Sequence, residues 1–89
     1  MKLFILQYCP HCKRALNWMN ELYQENNLYK TINIDIIDEE KESELANEYD
    51  YYYVPSFFDG NKKLHEGVAS KEIIKKIFDD YLEENVWKF

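Results

Sequence analysis

The sequence predicts an α/β fold in the order β-α-β-α-β-β-α, a four-stranded mixed sheet carrying three helices, and three patterns support that prediction. Leu3, Phe4, Ile5 and Leu6 form the unbroken apolar run expected of a central strand covered on both faces. Ile73, Ile74, Ile77, Phe78, Tyr81 and Leu82 recur at the spacing that one face of a helix presents. Asp59-Gly60-Asn61, set between two short strand-like stretches, reads as a hairpin turn.

Taken in order, residues 2–8 give the first strand. Pro10 then suits the first position of a helix, where a missing N–H costs nothing, and Ala15, Leu16, Met19, Leu22 and Tyr23 carry the helical period through residues 10–25. Residues 31–37 alternate, with Ile32, Ile34 and Ile36 expected on a buried face and Thr31, Asn33 and Asp35 on the other, which predicts the second strand. Asp38 is expected to cap a short helix with an acidic first turn and Leu45, Ala46 and Tyr49 as inner positions. Val54-Pro55 opens the third strand through Phe58, residues 62–68 form the fourth, and Ser70 caps the last helix. Beyond it, Trp87 and Phe89 are expected to pack back on the core.

Eighty-nine residues make one small domain, expected to span 1–89. Eleven Lys and Arg against seventeen Asp and Glu give a net charge of −6, and no basic stripe forms. Nucleic acid and anionic membranes are therefore poor partners, and a monomer is expected. The apolar run near the start is too short for a signal peptide or a membrane span, which reads as a cytoplasmic protein. The two cysteines stand at positions 9 and 12, too close to staple distant parts of a secreted fold.

Their setting points to chemistry. Strand, then Cys9-Pro10-His11-Cys12, then helix places Cys9 at the helix N-cap, where free N–H groups and the positive helix end stabilise a thiolate. Cys12 lies one turn further on the same side, within reach of a mixed disulfide formed at Cys9. Cys9 is thus the expected nucleophile and Cys12 the resolving thiol, with Pro10 and His11 tuning the thiolate. Cys12 should be the more buried and less acidic of the two. A protonated His11 would favour the reduced form, while Lys13 or Arg14 could also support the thiolate. The same cysteine pair could instead serve as ligands, for zinc with His11 and His65, or for an iron-sulfur cluster. His65 is otherwise a surface residue.

Cys9-Pro10-His11-Cys12 with Lys13-Arg14-Ala15, Val54-Pro55 ahead of Phe57-Phe58, and Gly67 before the last helix together resemble the glutaredoxin branch of the thioredoxin superfamily. The resemblance covers nearly the whole chain and implies a compact thioredoxin fold of the glutaredoxin type, acting as a thiol-disulfide oxidoreductase in electron transport and cell redox homeostasis. It implies a cis Pro55 facing Cys9, with the Val54 backbone exposed to pair with a substrate strand. Tyr8, Tyr53, Val54, Pro55 and Gly67 are then the substrate-binding residues. Of Tyr49, Tyr51, Tyr52 and Tyr53, at least two should pack and the others form a substrate platform. His11 replaces the Tyr common in glutaredoxins. Thioredoxins proper carry further elements before the motif and an acid in the strand below it, which residues 3–8 lack.

The expected partners are protein disulfides and a reductant, with no cofactor bound. Family members that use glutathione typically hold it with a lysine before the first cysteine, a Gly-Gly pair, and an Asp at the start of the last helix. Here Leu6, Gln7 and Tyr8 precede Cys9, the pair is Glu66-Gly67, and Val68, Ala69 and Ser70 stand where the Asp would lie. Glu66 and the overall charge are expected to repel the anionic tripeptide. A flavoprotein resembling thioredoxin reductase is therefore the expected reductant rather than glutathione.

Overall fold

A computed structural model of the protein describes residues 1–86. The expected packing of Trp87 and Phe89 lies outside the described residues. Strands β1 (Lys2–Ile5), β2 (Asp35–Asp38), β3 (Ser56–Asp59) and β4 (Lys62–Glu66) form one mixed sheet in the order β2-β1-β3-β4, with β1 parallel to β2 and antiparallel to β3. The long helices α1 (Pro10–Glu25) and α3 (Lys71–Val86) pack together on one face of it, and α2 (Ser43–Ala46) is a single turn. The fold class read from the sequence is thus the observed one.

The pleat of the central strands explains the two halves of the core. Leu3 and Phe57 join Ala15, Met19 and Leu22 of α1 with Ile74 and Phe78 of α3. Phe4 and Phe58 face the other way and meet Ile37 and Ala46. Tyr49 and Tyr51 close this second cluster, with ring centroids 4.8 and 5.0 Å from Phe4. The unbroken apolar run of β1 is therefore buried on both faces.

Several element boundaries differ from expectation. Residues 31–37 do not form one strand: Asn27–Thr31 is a 3₁₀ turn, and β2 begins only at Asp35. Asn26 fixes that turn by accepting the Leu28 N–H at 3.0 Å. The Ile32-Ile34-Ile36 stripe does lean towards the helix side, but β2 is an edge strand and its cover fades. Ile32 is buried, Ile34 half-buried and Ile36 49% exposed, while Ile37 fills the opposite cluster.

Asp38 ends β2 and does not cap α2. Its carboxylate accepts the Glu40 N–H at 2.9 Å in a local turn, and Glu42 holds the N-cap position instead. A carboxylate spent on its own loop is not available to a helix start. The strands β1, β3 and β4 are also shorter than read, because the chain turns at Gln7 and Tyr8, Val54 and Pro55 precede the ladder, and β4 ends at Glu66.

Elsewhere the local chemistry agrees with the reading. Ser70 Oγ accepts the Ile73 N–H at 3.2 Å as the cap of α3. Gly60, with φ +59°, takes the first place of the two-residue hairpin loop and Asn61 keeps a negative φ, the pattern of a type II′ turn. Ile73 alone leaves the helical stripe, standing 37% exposed.

Candidate active site

Cys9 is the N-cap of α1, with φ −77° and ψ 121°, and Pro10 follows as the first helical residue. The Cys9 N–H bonds back to the Leu6 carbonyl at 3.1 Å, and its carbonyl accepts the Lys13 N–H at 3.1 Å. The backbone is thereby fixed on both sides of the sulfur. Cys9 is half-buried, whereas Cys12, one turn inside, is 1% exposed.

The two thiols are driven apart electrostatically. Burial by itself pushes the Cys9 thiol up, but the Cys12 N–H and thiol, the His11 N–H and the charge of Arg14 outweigh it and hold the thiol below its ordinary value. None of the first-turn N–H groups closes a full hydrogen bond on the sulfur at rest. The lowering is therefore a sum of converging dipoles and one charge. At Cys12 burial dominates. The Leu6 backbone pulls against it, the Cys9 sulfur and the Glu39 carboxylate add to it, and the thiol is pushed up to about 12.

This is the asymmetry that dithiol exchange needs, an accessible acidic thiol beside a buried one that stays protonated until called on. His11 is exposed, and its Nδ1 meets the Arg14 guanidinium. The effect of His11 on Cys9 runs through its backbone N–H, and the cation acting on that sulfur is Arg14. The sequence signal for this pair is an i, i+3 spacing on a helix.

The β1–β3 register, with Phe4 opposite Ser56, brings the end of β1 and the turn carrying Cys9 to the same end of the sheet as Val54 and Pro55. The Val54–Pro55 bond is cis. A sequence model described as a thioredoxin domain matches residues 1–79.

The chain belongs to the thioredoxin family. Neither the curated proteins nor the solved structures searched gave a match. In this thioredoxin-family protein, the segment entering β3 is held from β4. Gly67 donates its N–H to the Pro55 carbonyl at 2.9 Å, and Ser56 Oγ donates to the Tyr53 carbonyl. Gly67 has φ +89°, a backbone state that a side chain disfavours, while a Cβ there would only touch Tyr53 at 3.7 Å. Its backbone, not a lack of room, calls for glycine.

Glu66, expected to repel an anionic tripeptide, turns onto this segment. Its Oε2 accepts the N–H groups of Tyr52 and Tyr53 at 2.7 and 3.0 Å, and its Oε1 accepts Lys63 Nζ at 2.6 Å. Lys63 and the two N–H groups hold the carboxyl down at about 2. No local sequence pattern links residues 13 and 14 positions apart, so this contact is invisible without the fold. Among the described residues, nothing hydrogen-bonds to the N–H or carbonyl of Val54 itself.

The four tyrosines divide as their positions allow. Tyr49 and Tyr51 pack on Phe4 and Phe58, and Tyr51 donates to Glu39 Oε2 at 2.7 Å. Tyr52 and Tyr53 stand exposed beside the cis bond. Tyr8, also exposed, borders a shallow groove with Leu6, Gln7, Cys9 and Glu40. A larger hollow between Glu39, Ala46, Tyr49 and Tyr51 holds neither cysteine. His65 contacts the Val68 carbonyl through Nε2 at 3.0 Å, and among the described residues no group of three or more His, Cys, Asp or Glu gathers as a metal-ligand set. No helix among them is long and apolar enough to cross a membrane.

Proposed function

We propose that this protein is a thiol-disulfide oxidoreductase that reduces or exchanges protein disulfides through Cys9 and Cys12. The observation that carries the reading is the split between the two thiols, with Cys9 half-exposed and held acidic at a helix N-cap, and Cys12 buried and pushed up to about 12. Cys9 thiolate attacks one sulfur of the substrate disulfide and forms a mixed disulfide, and the other substrate sulfur leaves as a thiolate. Cys12 then gives up its proton and attacks the Cys9 sulfur. The second substrate thiol is released, and the two electrons gained by the substrate leave a Cys9–Cys12 disulfide behind.

Substrate is held as an added strand along Val54, whose N–H and carbonyl have no hydrogen-bond partner among the described residues while the polar groups around them are engaged. Tyr8 and Tyr53 flank it as exposed aromatic surfaces, and Pro55 and Gly67 set the backbone that presents it. The protein works as a cytoplasmic monomer of the glutaredoxin-like type. Its disulfide is returned to the dithiol by a flavoprotein resembling thioredoxin reductase, in preference to glutathione. No glutathione-binding lysine or aspartate stands at the positions where the resemblance expects them.

The test is a trapping experiment with a protein disulfide substrate. Cys12→Ser is expected to accumulate a mixed disulfide at Cys9, and Cys9→Ser to trap none and lose all turnover. Equal trapping by both variants would contradict the division into a nucleophile at Cys9 and a resolving thiol at Cys12. Stoichiometric iron or zinc in freshly purified protein, lost in Cys9→Ser, would favour a ligand role for the pair.

A further inference from the structure

The carboxylate of Glu66 is bound in the way a protein binds the carboxylate of a ligand. Two successive backbone N–H groups, those of Tyr52 and Tyr53, converge on one oxygen and a lysine takes the other. Paired N–H groups with a neighbouring cation form a general recognition device for carboxylates. This one lies immediately before Val54 and Pro55, at the end of the sheet that also carries Cys9. A small thiol held at Cys9 and bearing its own carboxylate would meet these donors already filled. A peptide strand would not need them, because no described residue occupies the Val54 N–H or carbonyl.

We propose that Glu66 is a specificity residue: its carboxylate occupies the donors beside the dithiol that would otherwise hold the carboxylate of a small anionic thiol, and so steers the site towards protein disulfides. This inference rests on the reading of Cys9 and Cys12 as an exchange site. The occupied donor set itself is independent of that chemistry. The low carboxyl value of about 2 at Glu66 agrees with a plug that stays ionised and seated throughout the physiological range. Lys63 also faces Asp50, so the two N–H groups rather than the lysine are the vacancy that removal of Glu66 would create.

The experiment is a titration with S-methylglutathione, a carboxylate-bearing thioether that cannot react with cysteine, followed by the backbone amide signals of Tyr52 and Tyr53. In the wild-type protein these signals should stay in place. In Glu66→Ala they should shift on titration, with binding at least tenfold tighter than in the wild type. Glu66→Gln keeps an acceptor oxygen in the same place and should remain closed. Glu66→Ser serves the same purpose if the alanine variant does not fold. Wild-type signals that shift as readily as those of Glu66→Ala, or an alanine variant whose signals never move, would overturn the proposal. Because the probe is inert, a null result in this titration leaves the redox reading standing, and a Cys9 unreactive towards every disulfide leaves the binding result standing.

Discussion

Arg14 donates from its guanidinium to Nδ1 of His11, one helical turn behind it on α1. A guanidinium has donors only, so Nδ1 is the acceptor of this contact. The sequence points to a protonated His11 as support for the Cys9 thiolate. In the folded protein the cation acting on the Cys9 thiol is Arg14, and the imidazole is its hydrogen-bond partner.

Replacing Arg14 with Gln should therefore slow alkylation of Cys9 by iodoacetamide near pH 7 by about twofold to fivefold, the range for a solvent-exposed charge pair. His11→Ala should have a smaller effect in the wild type and none in the Arg14→Gln background, since its ring acts through the arginine. An undiminished effect of His11→Ala in that background would show that the ring acts on the sulfur by itself.

The outline of this site is legible in the sequence because its parts are local. A strand, a Cys-Pro-x-Cys turn and a helix are contiguous, and N-cap physics assigns roles to Cys9 and Cys12 without any tertiary knowledge. Strand β2 departs from its expected span because alternation reports which side a residue faces and not how far the cover extends. Ile36 alternates correctly yet lies beyond the helices at a sheet edge. The contacts of Glu66 are hidden in the sequence for a different reason. Its partners Tyr52 and Tyr53 come from another segment, and only the β3–β4 hairpin brings the carboxylate under their N–H groups. What the sequence lacks at Glu66 is the contact, not the residue type.

The buried thiol has a stability signature. Cys12 is raised from an ordinary 9 to about 12 in the folded protein, so the fold favours its neutral form. That contribution is complete below pH 9 and is lost as pH rises towards 12. The melting temperature of the reduced protein should fall over this window, and Cys12→Ser should fall less. Tyr29, raised to about 12, and Tyr51, raised further, titrate in the same direction. The measurement that isolates the thiol is accordingly the difference between wild type and Cys12→Ser, and parallel curves for the two would remove the buried-thiol argument.

Tyr29 gives a second test of packing. Its ring is 2% exposed against Phe78, and its hydroxyl donates to Asp79 Oδ1 at 2.6 Å, tying the turn after α1 to α3. Tyr29→Phe keeps the ring and loses one hydrogen bond, so denaturant unfolding should report a loss of about 0.5–1.5 kcal/mol. Tyr29→Ala also empties the space and should cost about 3–5 kcal/mol, by analogy with large-to-small aromatic substitutions. Equal losses would mean that the hydrogen bond, and not burial of the ring, secures the turn.

Glu66 is bound to Lys63 and two N–H groups, whereas Glu40 is exposed. It borders the groove that contains Cys9, together with Leu6, Gln7 and Tyr8. Glu39, its neighbour, is turned towards Tyr51 instead. An exposed carboxylate at this place should repel an anionic disulfide and attract a cationic one by a modest, salt-dependent amount, since charges in water at about 0.15 M salt are screened within about 8 Å. Glu40→Gln should therefore raise the rate of mixed-disulfide formation at Cys9 with glutathione disulfide, relative to neutral 2-hydroxyethyl disulfide, by about twofold to fivefold. The same substitution should lower the rate with cystamine, which carries positive charge at both ends. Comparison with the neutral disulfide cancels any change in the intrinsic reactivity of Cys9, so only the charge selectivity is read. Both shifts should shrink at about 1 M salt, where the screening length is about 3 Å. Ratios that stay the same for the anionic and the cationic disulfide would take Glu40 out of substrate selection, and any discrimination against glutathione would then have to come from the filled donors at Tyr52 and Tyr53.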